Sequence, residues 1–382
     1  MGLRVELVYF NAGGGHRASA LALQQAIEAA GLGWDVQRVN LTELLDPEGR
    51  LRRLAFSPED YYNARLAHGL TLGLHAELRV LQGLIALLHP TLVRALRAHW
   101  RRSAPDLVVS LIPNFNRALH ASLREVHPQV PYVTVLTDLA DHPPHFWIEP
   151  ALDQHVVCGT PHAVRQALAA GCAPQRVHAT SGMIIRPDFY APADVSSRVA
   201  RRAELGLGLD AHAPTAVVMF GGHGSRSMVG IAERMSQHQL ILLCGHNAAL
   251  HERLLALPAA APRAVLGFTS DVAGLLRAGD YFIGKPGPGA LSEALQLGLP
   301  VIVTRNAWTM PQERYNTQWV VEHGYGRVLR SFREVEPAAR ELCAQLPAYR
   351  ERVAGLRNRA LFEVPQILQR IVAAAGDARA AA

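Results

Sequence analysis

A strand, a glycine-rich turn and an amphipathic helix open this chain and recur at mid-length, and that repetition restricts the fold more than any other feature. "RVELVYF" is an apolar strand, "NAGGGHRAS" a turn, and "ALALQQAIEAAG" a run at helical spacing ending on Gly31, before a second strand, "WDVQRVNL". "PDLVVSLIP", "PYVTVLTDL" and "DQHVVCGT" follow as strands, each trailed by helix-compatible residues. After a polar, Ala-rich stretch from Pro187 to Ala213, the pattern restarts with "PTAVVMFGGHGSRS". "QLILLCGHN", "RAVLGF", "DYFIGKPG" and "LPVIVT" succeed it at regular intervals. Such alternation predicts parallel sheets covered by helices on both faces. The expected organisation is α/β: one doubly wound Rossmann-like domain over residues 1–186, a linker over 187–213, a second such domain over 214–345, and helices over 346–382 that cross back to the first. Ligands are expected in the cleft between the carboxyl ends of the two sets of strands.

The bulk numbers agree with two packed domains. The chain has 382 residues, 49% of them hydrophobic and only 18% charged, so disorder is excluded as a general description. Cys158, Cys172, Cys244 and Cys343 form no CxxC pair and read as reduced thiols in the cytoplasm. "MGLRVELVYF" lacks the basic and apolar regions of a signal peptide, and no apolar run is long enough to span a bilayer. The formal charge of +6 is local: Arg50 to Arg102 holds nine arginines against Glu59, Asp60 and Glu77.

"GGGHRA", residues 13–18, fits the dinucleotide pattern GxGxxA, but the second strand ends in "QRVNL", without the carboxylate that would hold a nicotinamide ribose. An oxidoreductase reading therefore fails. His16 stands at the start of the helix, where the positive helix end favours a neutral imidazole suited to a general base. "FGGHGSRS" supplies a second turn of the same kind around Gly222. The third is "GKPGPGALSEALQLG". It lacks the Walker spacing, yet offers the backbone amides of Gly287 to Leu291 and a helix dipole to a diphosphate. Glu293, placed in the first turn of that helix, is a candidate ribose ligand; N-cap service by Ser292 and Glu293 is the bland alternative. This loop contains Lys285, the single lysine among 38 basic residues.

The run "VLGFTSDVAGLLRAGDYFIGKPGPGALSEALQLGLPVIV" resembles the donor-binding half of glycosyltransferase family 28, and "AGGGHRASALAL" is similar to the first loop of its monogalactosyldiacylglycerol synthase and diacylglycerol glucosyltransferase branch. "TDLADHPPHFW", "GMIIRPDF", "LCGHN" and "PQERYNTQWVVEHGYG" fall in the family's order. The related lipid II-forming N-acetylglucosaminyltransferase is a poorer match. The resemblance implies a GT-B architecture, a UDP-sugar donor, a lipid acceptor such as diacylglycerol, and inversion at the anomeric carbon without a metal or other cofactor. By motif, Phe268 and Thr269 would flank the uracil; Gly289, Ala290 and Ser292 would hold the diphosphate and Glu293 the ribose. Gln312, Glu313 and Asn316 would meet the sugar hydroxyls or the phosphate side, and Arg186 the departing diphosphate. His16 is the base candidate. Alternatives are a UDP-GlcNAc-using transferase acting on a polyprenyl-linked or soluble acceptor, a UDP-sugar epimerase, and an inactive UDP-sugar-binding regulator.

"TDLADHPPHFWIEP" carries Asp138, Asp141, His142 and His145, but their spacing fits no standard zinc site. The loop is expected to line the acceptor side together with Gly14 and Gly15, with Asp138 as an alternative base. In the basic segment 50–102, Leu70, Leu74, Leu78, Leu81, Ile85 and Leu88 recur at helical spacing, with arginines and Trp100 following. A basic amphipathic helix of this kind is expected to rest on an anionic membrane surface, which would place the protein at the inner face of the cell membrane. A nucleic-acid partner is not expected, since no binding motif appears.

Overall fold

The computed structural model describes residues 2–11, 14–46, 74–150, 152–191 and 197–381. The described residues divide into two compact units, those up to 187 and from 358 onward in the first, and those within 188–357 in the second.

In the first unit the elements run β1 (Arg4–Tyr9), α1 (Gly15–Ala29), β2 (Asp35–Asn40), α2 (Leu41–Leu45), α3 (Leu74–Leu87), α4 (His89–Ser103), β3 (Leu107–Ser110), α5 (Asn116–Val126), β4 (Tyr132–Val135), β5 (His155–Cys158), α6 (Pro161–Ala169) and β6 (Val177–Ala179). Their strands form one parallel sheet in the order β2-β1-β3-β4-β5-β6. β3 and β4 are buried along their whole length, which is why "LVVS" and "YVTV" carry apolar residues on both faces instead of alternating. Trp100 is fully buried on α4 and donates its indole N–H to Ser122 Oγ at 2.8 Å. It belongs to the core, not to a surface patch as its place after the leucines suggests. The β4–β5 connection departs from the expected alternation: among its described residues it contains no helix. Long connections of this kind usually carry function.

The second unit contains α7 (Ser197–Glu204), β7 (Thr215–Met219), α8 (Ser227–Arg234), β8 (Gln239–Leu243), α9 (Ala248–Leu255), β9 (Arg263–Leu266), α10 (Val272–Arg277), β10 (Tyr281–Gly284), α11 (Pro288–Gln296), β11 (Val301–Thr304), α12 (Arg314–His323), β12 (Gly326–Leu329), α13 (Val335–Ala344) and α14 (Leu346–Ala354). Its parallel sheet has the order β12-β11-β10-β7-β8-β9. The expected linker does not stand apart, because Arg202 of α7 is buried in this unit. Its guanidinium donates to Asp280 Oδ2 at 2.5 Å and to the carbonyls of Ala278, Ala211 and Ala213. A buried cation needs such partners, and removing one costs about 3–5 kcal/mol. α14 likewise stays in the second unit, with Arg350 paired to Asp280. Only α15 (Ala360–Ala381) packs on α1 in the first. Asn358 precedes it and donates to the Met183 carbonyl at 2.8 Å, while Glu363 accepts from the Ser181 amide and hydroxyl.

Candidate functional site

In the first unit, strand order reverses between β1 and β3, so the loops leaving their carboxyl ends diverge and open a crevice. Gly14, in the left-handed region at φ 79°, ends the first turn and precedes α1 without a side-chain cap. Space is open where β-carbons on Gly14 and Gly15 would project. His16 follows in the first turn of α1. Its Nδ1 lies 3.0 Å from Thr137 Oγ1, beyond the end of β4, and the Leu111 carbonyl beyond β3 accepts from the ring. Burial outweighs that carbonyl and pushes the imidazole down to about 4. His16 is therefore neutral at pH 7, as a proton acceptor must be, but a weaker base than its place at a helix start suggests.

The β4–β5 loop is fastened by its own polar groups. Asp141 Oδ1 accepts from the Trp147 amide at 2.7 Å and Oδ2 from the His145 amide at 3.0 Å. Gln166 of α6 holds the Asp141 backbone through both its amide groups. Burial raises the Asp141 carboxyl above the usual range, and the accepted amides of Trp147, His145 and Ile148 oppose the rise. Asp141 thus shapes the loop. His145, at φ 64°, and His142 lie in the same loop; among the described residues no three potential ligands gather to hold a metal ion. The loop brings Trp147 to Asp138, whose Oδ2 accepts from the indole Nε1 at 2.8 Å, and to His16, 5.8 Å away between ring centroids. His16, Thr137, Asp138 and Trp147 form one constellation.

In the second unit the reversal falls between β7 and β10. Beyond β7, β8 and β9 the loops interlock: the His246 amide donates to the Gly222 carbonyl at 2.8 Å, and Asn247 Nδ2 to the His223 carbonyl at 3.2 Å. Gly245, at φ 61°, is required here, since a β-carbon would fall 2.1 Å from the Gly222 oxygen. Phe268 is 66% exposed and stacks on His246 at 4.1 Å with an 18° interplanar angle. Its neighbour Thr269 accepts from the Asp271 amide at 3.1 Å through Oγ1. A flat aromatic face held open by a second ring suits a nucleobase.

Beyond β10, α11 begins at Pro288, with Gly287 as an N-cap that offers no side chain. Proline is preferred at this first position because its missing N–H would be unpaired anyway. Ser292 and Glu293 consequently lie in the second turn, and neither caps the helix; both the expected first-turn placement and the capping alternative are corrected by the proline. The amides of Gly289 and Ala290, within the first turn, have no intrahelical acceptor. Space is open around Gly289, where an added β-carbon would meet nothing within 4 Å. Ser292 is buried, and Glu293 half-buried.

Two residues expected at the sugar hydroxyls or the phosphate side have partners within the protein. Glu313 is buried and accepts from Lys285 Nζ at 3.0 Å; Asn316 is fully buried, with Nδ2 on the Pro286 carbonyl at 2.8 Å. Asn316, in the first turn of α12, braces the loop before α11, and Glu313, just before that helix, pairs with the loop's lysine. Gln312 remains partly accessible, its Nε2 3.7 Å from Met310 Sδ. Arg186, at the end of the first unit, is half-buried. Sequence reasoning did not assign Lys285, Thr137, Trp147 or His246; the rarity of lysine marked the first, and the motif "LCGHN" contained the last.

The basic segment is described only from residue 74; residues 50–73 lie outside the described residues. On α3 and its C-terminal end, Val80, Leu81, Leu84, Leu87 and Leu88 are exposed, while Leu78 and Ile85 turn inward. No helix among the described residues is long and apolar enough to cross a membrane.

Residues 16–185 match the family described as monogalactosyldiacylglycerol (MGDG) synthase. The chain is 28% identical over 358 residues to the chloroplastic monogalactosyldiacylglycerol synthase of Spinacia oleracea, covering 87% of this chain and 64% of that protein. Among solved structures, MurG of Acinetobacter baumannii matches with a TM-score of 0.62 at 12% identity, covering 97% of this chain and 100% of that one. The UDP-GlcNAc 2-epimerase of Neisseria meningitidis, bound to UDP-GlcNAc, matches with a TM-score of 0.56 at 12% identity, covering 97% and 99%. These likenesses show the two-domain α/β GT-B fold, which transferases and epimerases share.

Proposed function

We propose that this chain, a relative of the monogalactosyldiacylglycerol synthases, moves a hexosyl group from a UDP-sugar to a hydroxyl of a diacylglycerol-type lipid, with inversion at the anomeric carbon. The observation that carries the donor half is the carboxyl edge of the second unit. An exposed aromatic face at Phe268 and an uncapped helix start at Gly287 lie on loops leaving the same edge of one sheet. The base would stack on Phe268, the diphosphate would meet the amides of Gly289 and Ala290, and Glu293 would accept from the ribose diol. Glu293 stands six residues beyond Gly287, roughly 9 Å along the helix axis, which separates the two tasks.

Transfer builds negative charge on the leaving UDP, and fixed N–H donors stabilise it without reorganising. This assigns the leaving group to the chain's own donors in place of a metal ion. On the acceptor side the lipid hydroxyl loses its proton to Asp138 or to neutral His16. Gln312 is the remaining candidate for the sugar hydroxyls. The exposed apolar row of α3, with Arg79 and Arg94 also exposed, supports peripheral contact with an anionic membrane surface, where the acceptor resides.

Incubation with radiolabelled UDP-galactose, UDP-glucose or UDP-GlcNAc and vesicles containing diacylglycerol tests the reading. Label entering the organic phase supports it. Epimerised nucleotide without acceptor would transfer the assignment to an epimerase, and bound UDP with neither product would leave a binding protein.

A further inference from the structure

Lys285 is the one lysine of the chain, and its side chain does not simply extend into solvent. Nζ lies 3.0 Å from Glu313 Oε1; the lysine side chain is 35% exposed and the glutamate 4%. A β-carbon built on Gly287 would stand 3.3 Å from Lys285 Cε, 3.8 Å from Nζ and 3.5 Å from Glu313 Oε1. The ion pair thus rests against the residue that precedes α11, at the helix end without a side-chain cap. The loop does not need the ammonium as a fastener, because fully buried Asn316 already holds the Pro286 carbonyl. An ammonium has three donors, and Glu313 uses one.

Building on the donor-binding reading above, we infer that Lys285 meets the donor's diphosphate, and that Glu313 is a positioning residue fixing the ammonium there, not a ligand of the sugar. Everywhere else the chain uses arginine, whose guanidinium presents a rigid planar fork. At Gly287 it uses a compact charge with pivoting donors, which can follow the diphosphate as the sugar departs. The missing β-carbon at Gly287 leaves the space this requires. Glu313, acceptor-only and nearly inaccessible, fixes the stem so that the free donors point away from it.

A single lysine makes the test clean. Acetic anhydride acylates one side-chain amine in the whole protein, and peptide mass spectrometry reads it apart from the N-terminus. Saturating UDP should slow acetylation of Lys285 about tenfold or more, as a charge-assisted contact would, while uridine, lacking phosphate, leaves it unchanged. Equal rates with and without UDP overturn the inference. By calorimetry, Lys285→Met should lose about tenfold in UDP affinity with uridine affinity kept. Glu313→Gln should narrow the same UDP-over-uridine preference, and Lys285→Arg should retain part of it. A Lys285→Met protein with the full preference removes the role of Lys285 alone. A wild-type protein that binds neither UDP nor uridine removes the donor reading, and this inference with it.

Discussion

Trp147 donates its indole N–H to Asp138 at 2.8 Å while its ring lies 5.8 Å from that of His16, so one aromatic side chain links two candidate bases. Asp138→Asn keeps the shape and an acceptor for the indole but removes the charge. If Asp138 takes the acceptor's proton, transfer should slow about 100-fold or more, with UDP affinity unchanged. Trp147→Phe, which removes only the donor, should give an intermediate loss. Wild-type turnover in Asp138→Asn returns the role to His16.

Acid should weaken the first unit in a defined window. His16 titrates at about 4 when folded, against 6.5 when exposed, because burial disfavours its cation. Between those values the unfolded chain binds the proton and the folded one does not, so stability falls as pH drops from 6.5 toward 4. His155, also pushed to about 4 chiefly by burial, adds a contribution of the same sign. For His16 the gap corresponds to roughly 3 kcal/mol when complete, and for the more exposed His155 solvent screening makes the contribution smaller. Calorimetric melting of wild type and His16→Asn from pH 7.5 to 4.5 should show their difference shifting in favour of the variant as pH falls. If His16 is the base, its titration should leave the transfer rate level from pH 8 to about 5, since a group titrating at about 4 stays neutral there.

The inner strands of both sheets were legible as apolar runs bounded by Gly or Pro, and the Gly-rich turns were located at both reversals of strand order; the short, partly polar edge strands β6 and β12 were not legible. The sequence could not assign the partners within those turns. Glu313 and Asn316 read as ligands by motif, and in the fold they bond inward to Lys285 and to the Pro286 carbonyl. Asp141 read as one of four potential ligands in its loop and proved to accept amides of that same loop. Such choices depend on tertiary distance, and the local pattern carries no term for it. The start of α11 is misplaced for a local reason: Pro288, which opens the helix, reads as part of the turn, and this puts Glu293 one turn too early.

Phe268 should matter to nucleobase binding and hardly at all to folding. Its ring is mostly exposed, so Phe268→Ala should change stability by no more than about 0.5 kcal/mol. Losing the stacking face should cost about 1–3 kcal/mol of uridine affinity and the same for UDP. Calorimetry with both ligands, beside a denaturant melt, checks the two halves. Unchanged uridine binding would move the base elsewhere.

Two glycines should respond in opposite ways. Gly245→Ala forces a β-carbon against the Gly222 carbonyl at a left-handed φ, and should destabilise the second unit by about 2 kcal/mol or more. Gly289→Val adds atoms where the structure leaves space and should change stability by less than about 1 kcal/mol. If a diphosphate occupies that space, the same substitution should reduce UDP affinity at least about tenfold. Urea melts and UDP titrations on both variants decide the point.

The apolar row on α3 gives a separate expectation for the acceptor side. Val80 and Leu87 are 72% and 77% exposed, and Leu84 lies between them on the same helix, so these side chains add little to the folded core. Replacing all three by Gln should leave melting and UDP affinity near wild type. Insertion into a bilayer interface would bury them, and each lost side chain then forfeits roughly 1 kcal/mol or more of membrane affinity. Co-flotation with vesicles containing phosphatidylglycerol should fall sharply for the triple variant, and transfer to vesicle-borne diacylglycerol should fall with it. Transfer to a short-chain diacylglycerol dissolved as monomers should be preserved, because that acceptor reaches the enzyme without a surface. Equal loss on both acceptors would assign these three side chains to the protein's own structure.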